Sequence, residues 1–477
     1  RTVGVLHKDA ARVQDGYCLL PFGKSIYLFD VDGRVVHEWT STRNCFCCYL
    51  LPDGCLLRDG SESDFAADFR TGGAAGYLEV VTWEGELVWS YSHSPYLDTL
   101  THHDLEPLPN GNVLIMTWER RTKEEAVAAG RRPALLPDGE VWDNVIVELQ
   151  PDGHGSATEV WRWSLWDHTV QDFDETKANY VMKISEHPEA YDINHCVCGG
   201  IAGARNLLAL TAGPNDPPPS HAGKASYRGE KDWLHSNSVS YDPVRDQVAI
   251  SFNPGSEILI VDHSTTLEEA RGSTGGRSGR GGQILYRWGN AAAYQRAGRA
   301  EQTLFNQHSV NFLRGVPGEG NILVFNNGRE PDRHWSSIDE IQLPEDSPSS
   351  GSYPVPDRGG FGPKKACWSF GPVRNHQNSF YCTHISGVQR LENGNSLITM
   401  GPQGIVVEVT SSGDEVWRYV SGCVTIVRCY LVSVSFVRQG EHRPECDRKS
   451  LFRVQRYSPS HPALAGRELA PGRYLEA

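Results

Sequence analysis

The chain lacks an apolar run long enough to cross a bilayer. Its most apolar window, residues 423–437, is about fifteen residues long and carries Arg428, whereas a spanning helix needs about 20. A surplus of positive charge is missing too, since 45 Lys and Arg face 59 Asp and Glu for a net charge of −14. Phosphate backbones are bound by broad basic faces, so nucleic acid is not an expected partner. No Asn-x-Ser/Thr sequon occurs, which leaves a glycosylated surface unsupported. The 12 cysteines show no regular framework: Cys45-x-x-Cys48 stands alone, and Cys196-x-Cys198 has another spacing. A structural zinc site normally takes two knuckles, so buried thiols or incidental disulfides are expected. Residues 272–282 are rich in Gly, Ser and Arg but lack the Gly-Lys-Ser/Thr ending of a phosphate-binding loop. A surface loop is expected there.

What the chain has is punctuation. Gly (48) and Pro (28) are plentiful, Trp (13) and Tyr (18) are common, and Met (3) is scarce, a mixture suited to many short strands joined by tight turns. Leu51-Pro52-Asp53-Gly54, Leu108-Pro109-Asn110-Gly111 and Leu391-Glu392-Asn393-Gly394 each sit between runs of strand formers. Asn-Gly readily supplies the positive φ angles of a hairpin turn. Each such hairpin is followed by a second pair of strands whose last member carries tryptophan: Trp89, Trp161 with Trp163, and Trp417. Trp39, Trp288 and Trp368 close three further units, and residues 17–30 read as the first inner hairpin. Six units of about four strands predict an all-β, six-bladed β-propeller of four-stranded blades. The tryptophans are expected to pack between neighbouring blades.

A single domain over residues 1–477 is expected, with two departures from the repeat. Residues 164–231 form a long inter-blade excursion with a short helix near 186–191, and residues 421–449 form an insertion rich in Cys, Val and Arg. Residues 451–477 close the chain.

Three histidines stand at a common offset from the inner turns: His103 before Asn110, His235 before Asp242 and His308 before Gly315, seven positions in each case. Inner strands line a propeller's channel, so equal offsets predict three imidazoles at one depth on consecutive blades. In the sixth unit the equivalent position is Ser386, with His384 on the same strand face. Imidazole can carry protons near neutral pH, act as a nucleophile or bind a metal. Asn237 and Asn311 follow on the same strands and are expected to orient a ligand. Arg329 and Arg333 are the nearest cations for an anionic group. Asp167, His168, Asp172 and Asp174 on the excursion are expected to be a solvated loop with local turn bonds rather than a metal or acid cluster. Two readings compete with group-transfer chemistry: a metal-dependent hydrolase whose imidazoles are ligands, and a binding propeller whose histidines are packing.

The units around His103-Asp104 with Leu108-Pro109-Asn110-Gly111-Asn112, Asp232-Trp233-Leu234-His235-Ser236-Asn237, Phe305-Asn306-Gln307-His308 and Gln389-Arg390-Leu391-Glu392-Asn393-Gly394-Asn395 resemble those of the arylsulfotransferase (ASST-type) family. Tyr286-Arg287-Trp288-Gly289-Asn290 is typical of a less characterised branch. The resemblance runs over residues 16–420 and resumes at 451–466. It implies a six-bladed propeller that moves a sulfuryl group from an aryl sulfate to a phenol through a sulfated histidine. It implies no cofactor and no nucleotide donor such as PAPS, small aryl substrates as partners, and an extracytoplasmic or secreted location. It carries His235 and His308 over as catalytic, and a late covalent histidine, for which His384 is the channel candidate. Where the family has a catalytic arginine this chain has Ser336-Ser337, so either Arg329 or Arg333 replaces it or the chemistry differs.

Overall fold

Alternating runs such as Val-Leu-Ile-Met-Thr-Trp at 113–118 bury one residue set against each neighbouring blade, and polar turns end each run. The computed structural model describes residues 2–61, 69, 71–93, 98–195, 231–344, 351–372, 379–428, 431–436 and 450–476. Six antiparallel sheets stand in a ring, as the repeats predict. From the channel outward, the second blade is Cys48–Leu50, Leu56–Ser61, Gly76–Val81 and Leu87–Ser92. The third is Thr99–Pro107, Val113–Thr122, Glu140–Pro151 and Ala157–Ser164. The fourth comprises Ser236–Asp242, Gln247–Phe252, Glu257–Asp262 and Tyr286–Trp288. In the fifth come His308–Phe312, Ile322–Asn326, Ser337–Ile341 and Trp368–Phe370. The sixth has Gly387–Arg390, Ser396–Met400, Ile405–Val409 and Glu415–Val420, with Gly4–Lys8 added as a fifth strand on its outer edge.

The first blade differs from the expectation. Its inner strand is Gln455–Tyr457, paired with Tyr17–Phe22, so residues 17–30 supply the second and third strands. The segment after residue 450 thus closes the ring by completing a blade begun near the start of the chain. Blade faces bury the core between them, as where Trp161, Trp163 and Leu114 meet Val248 and Leu259.

The tryptophans also bond across the seams. On every blade one outer-strand indole N–H donates to a loop carbonyl of the next blade: Trp39 to Thr82 (3.1 Å), Trp89 to Ser156 (2.8 Å), and Trp163 to Gly282 (2.7 Å). Trp288 donates to Pro363 (2.7 Å), Trp368 to Ser411 (2.8 Å), and Trp417 to Val31 (2.8 Å), which returns to the first blade. A buried indole N–H needs a partner, and this ring of donations supplies all six.

The excursion is described through residue 195, and residues 196–230 lie outside the described residues. In place of a helix near 186–191 there is a short 3-10 turn, Ile184–Glu186, followed by Tyr191–Asp192, which pairs with Thr169–Val170. Pro188 stands between them and has no N–H to extend a helix. The expected insertion opens with a hairpin, Cys423–Arg428 with Leu431–Phe436, and residues 437–449 lie outside those described. Among the described residues no helix is long and apolar enough to cross a membrane. Cys18, Cys45, Cys47, Cys48 and Cys382 are buried free thiols, while Cys196 and Cys198 lie outside the described residues.

Candidate functional site

His235 immediately precedes its inner strand and His308 opens its own, whereas His103 lies within Thr99–Pro107, and each ladder is interrupted beside the histidine. The ladder slips between Ile115 and Thr117 in the third blade, between Ser236 and Ser238 in the fourth, and between His308 and Asn311 in the fifth. His103 (φ 56°), His235 (φ 43°) and Ser309 (φ 58°) take left-handed backbone at these kinks. Non-glycine residues adopt that region at a cost, and such strain concentrates at functional sites. Equal sequence offsets therefore do not give equal ladder positions. His308 pairs with Phe325, whereas His235 lies past the Ser236–Phe252 pair and its carbonyl accepts from Asn253 N (3.4 Å).

The bulges nonetheless bring the imidazoles of His102, His103 and His235 together. The rings of His103 and His235 meet edge to face at 4.4 Å between centroids. His102, adjacent to His103, stacks on Trp118 at 3.8 Å, and its Nδ1 lies 2.9 Å from Nδ1 of His103. Burial pushes the His102 pKa down to about 3, with the neighbouring His235 acting in the same direction. It is neutral at physiological pH, so one ring of the His102–His103 pair donates and the other accepts. A loop of the second blade presses on the pair: the His103 amide donates to the Gly73 carbonyl (2.8 Å). A Cβ on Gly73, whose φ is +86°, would stand 2.2 Å from His103 Cε1.

Two partners fix the other tautomers. Asp232 Oδ2 lies 2.5 Å from His235 Nδ1 and also accepts from Thr71 Oγ1 (2.9 Å). A carboxylate at Nδ1 favours the proton there and makes Nε2 the basic atom of the ring. Asn327 Nδ2 donates to the carbonyls of Cys382 (2.8 Å) and Ile385 (3.0 Å), so its Oδ1 must be the atom 2.8 Å from His308 Nδ1. Asn253 also nears that nitrogen (3.4 Å), but its amide protons go to Asn306 O (2.8 Å) and Gln307 O (3.2 Å). His308 thus also carries Nδ1–H and has Nε2 as its basic atom. Asn253 links the two histidine strands.

The remaining expected site residues are placed differently. His384 is exposed, its Nδ1 2.8 Å from Thr383 Oγ1. Ile385 and Ser386 have φ of 45° and 85° and the strand begins at Gly387, so His384 and Ser386 do not share a strand face. Asn237 is fully buried and donates to the Gln307 carbonyl (2.8 Å), stitching the fourth blade to the fifth. Asn311 donates to Ser309 O (2.7 Å) and Val388 O (3.2 Å) and does the same between the fifth and sixth. Both amides serve architecture. Arg329 pairs with Asp332 (3.3 Å), and its charge also bears on His195. The His195 carbonyl accepts from the indole of Trp233 (3.0 Å), the residue after Asp232. Arg333 donates to Ser337 Oγ (2.8 Å), at the position where the resemblance places an arginine. It lines a lateral cleft that no histidine lines.

Neither loop candidate holds a site. Ser278 N in the glycine-rich loop donates to Asp262 Oδ2 (2.8 Å), so a carboxylate already occupies that loop. His168 is buried and bonds the Ala270 carbonyl (2.8 Å), and Asp174 caps Thr176. Among the described residues no three His, Cys, Asp or Glu side chains converge as a metal-ligand set.

Below the histidines, Asp104 and Arg453 fill the channel. Their ion pair (2.8 Å) is joined by Tyr49 OH (3.1 Å), Cys47 Sγ (3.3 Å) and the Val239 amide (3.2 Å). Arg453 also packs its stem where a Cβ on Gly387 would stand, 2.9 Å away.

A ring of six four-stranded antiparallel blades defines the class of molecule, a six-bladed β-propeller. The chain matches the Arylsulfotransferase (ASST) family over residues 10–422 and belongs to it. Membership supports a sulfotransferase-type enzyme at the level of the family. No curated protein gives a match. Among solved structures the chain is similar to a protein of unknown function from Bacteroides caccae, at 12% identity and TM-score 0.42, covering 85% of this chain and 93% of that one. A functionally unknown protein from Desulfotomaculum acetoxidans gives 8%, 0.38, 85% and 95%. Virginiamycin B lyase from Staphylococcus aureus gives 8%, 0.33, 87% and 87%.

Proposed function

We propose that the protein transfers a sulfuryl group from an aryl sulfate ester to a phenol through a histidine, without a nucleotide donor. The observation supporting this reading is that a side-chain acceptor faces Nδ1 of both buried histidines, Asp232 for His235 and Asn327 for His308, which favours the Nδ1–H tautomer of each and turns Nε2 into the basic atom. Their partners differ, and that suggests a division of labour. A carboxylate beside His235 stabilises its imidazolium and suits a base, whereas the neutral Asn327 leaves His308 a nucleophile that also departs readily.

His308 Nε2 attacks sulfur and the aryl C–O–S ester breaks at the S–O bond. The phenolate leaves and takes up a proton, and the sulfuryl group stays on His308. The acceptor phenol then gives its proton to His235 and attacks sulfur, the S–N bond to His308 breaks, and His235 passes the proton to solvent, which balances the one the leaving phenolate took up from solvent. Arg329 is the cation assigned to the sulfuryl oxygens, because it follows Asn327 by two residues and its charge bears on His195 beside the site. His103 packs against His235 and positions it. His384 takes no part in this scheme.

Incubation with 4-nitrophenyl sulfate and phenol tests the reading through release of 4-nitrophenolate and formation of phenyl sulfate. Turnover is expected in the wild type and loss of about 10²-fold or more in His308→Gln. No turnover in the wild type, or full turnover in His308→Gln, overturns it.

A further inference from the structure

The lateral cleft at Arg333 lies between the outer strand of the fourth blade and the loops of the fifth. Its volume is about 480 Å³, within the range of small-molecule sites. Trp288, Phe305 and Trp335 supply aromatic walls, and Arg333, Lys364 and Lys365 supply cations. Arg333 lies 5.1 Å from the Trp335 ring centroid, and its Nη2 is used on Ser337. Its Nη1 is buried and makes no hydrogen bond. A buried guanidinium N–H without an acceptor is costly.

Two carboxylates also line the cleft, and other donors hold both. Asp339 accepts from Ser337 Oγ (2.8 Å), Asn326 Nδ2 (3.0 Å) and Ser369 Oγ (2.8 Å). Asp332 pairs with Arg299 (2.6 Å) and Arg329 (3.3 Å). Burial lowers the Arg333 pKa, with Asp339 the charge opposing it. The guanidinium remains cationic throughout the physiological range, so the cleft keeps one unpaired donor of fixed charge beside three aromatic rings.

We propose that this cleft is a second binding site, separate from the histidines, for a planar aromatic anion: a sulfonate, carboxylate or sulfate ester. The ring lies among Trp288, Phe305 and Trp335. The acid group accepts from Arg333 Nη1, and Lys364 and Lys365 steer the anion toward the opening. The proposal stands independently of the sulfuryl-transfer reading, because it needs no turnover.

Calorimetric titration of the whole chain with 4-toluenesulfonate and benzoate tests it, with 4-methylbenzyl alcohol as the neutral comparison. Saturable binding of both anions is expected, with the alcohol at least about tenfold weaker. Arg333→Gln and Trp335→Leu each weaken binding about tenfold, with an unchanged urea-unfolding midpoint as the check on folding. His308→Gln leaves it unaltered. Absence of binding in the wild type, equal affinity for the alcohol, or loss in His308→Gln with retention in both cleft variants overturns the proposal.

Discussion

Asp232 decides what His235 can do. In Asp232→Asn the amide still fills the space, but the imidazolium loses its counter-charge and the Nδ1–H tautomer is no longer enforced. Turnover of 4-nitrophenyl sulfate should fall about 10²-fold or more with a small change in KM. Equal loss in kcat and gain in KM would point to a structural role instead. Repeat offsets singled out His103, His235 and His308 because the hairpins fix their distance from a turn. Asp232 lay within the quoted motif, three residues before His235, and that Asp-x-x-His spacing was the available signal. Asn327 and Asn253 gave none, since strand pairing alone carries them to the histidines. Left-handed backbone at His103 and His235 was equally hidden, because nothing in a His-Asp or His-Ser step requires it.

Among the elements, the inner hairpins share a clip that the repeat only hinted at. In three blades an asparagine near the turn donates to a glutamate on the third strand: Asn112 to Glu148 (2.5 Å), Asn321 to Glu340 (2.6 Å), and Asn395 to Glu408 (2.7 Å). Each glutamate then takes a cation from the next blade: His263, Arg390 and Arg456, respectively. Two clips are held by arginine and are insensitive to pH near neutrality. The third depends on an imidazole. Burial by itself would lower the His263 pKa, but hydrogen bonds to Asp246 and Glu148 (2.8 Å each) outweigh it and raise the value to about 9. A raised pKa stabilises the fold fully below the ordinary value near 6.5, and the gain is lost as pH rises through about 9. His263→Gln should cost about 2 kcal/mol at pH 6 and little at pH 10. Urea unfolding of wild type and variant at both pH values measures the difference, and a pH-independent cost would refute the clip.

At the scale of the molecule, the ring is tied at its axis and its edge. Arg453 reaches Asp104 of the third blade and Tyr49 of the second while packing on Gly387 of the sixth. Removing one partner of a buried pair leaves the other charge stranded, so Arg453→Met should lose about 3–5 kcal/mol. Asp104→Asn added to it should recover part of that loss in a double-mutant cycle, and simple additivity would argue against coupling. The six-fold architecture was legible because tryptophan and turn recur with one rhythm. The first blade was misread because Gln455–Tyr457 is a three-residue strand far from its partners in the chain. Loop closure across most of the sequence leaves no local pattern.

The indole bonds run in one sense around the ring, each blade giving a proton donor and receiving one on its opposite face. That is a head-to-tail interface, which by itself specifies a neighbour and not a number. Any whole blade bearing a tryptophan donor and an open loop carbonyl would meet its neighbours on the same terms. Six is therefore counted elsewhere, by the guanidinium on the axis and by the strand that finishes the first blade. Changing the number of blades would mean redesigning Arg453 and Gln455–Tyr457, while the seams stayed as they are.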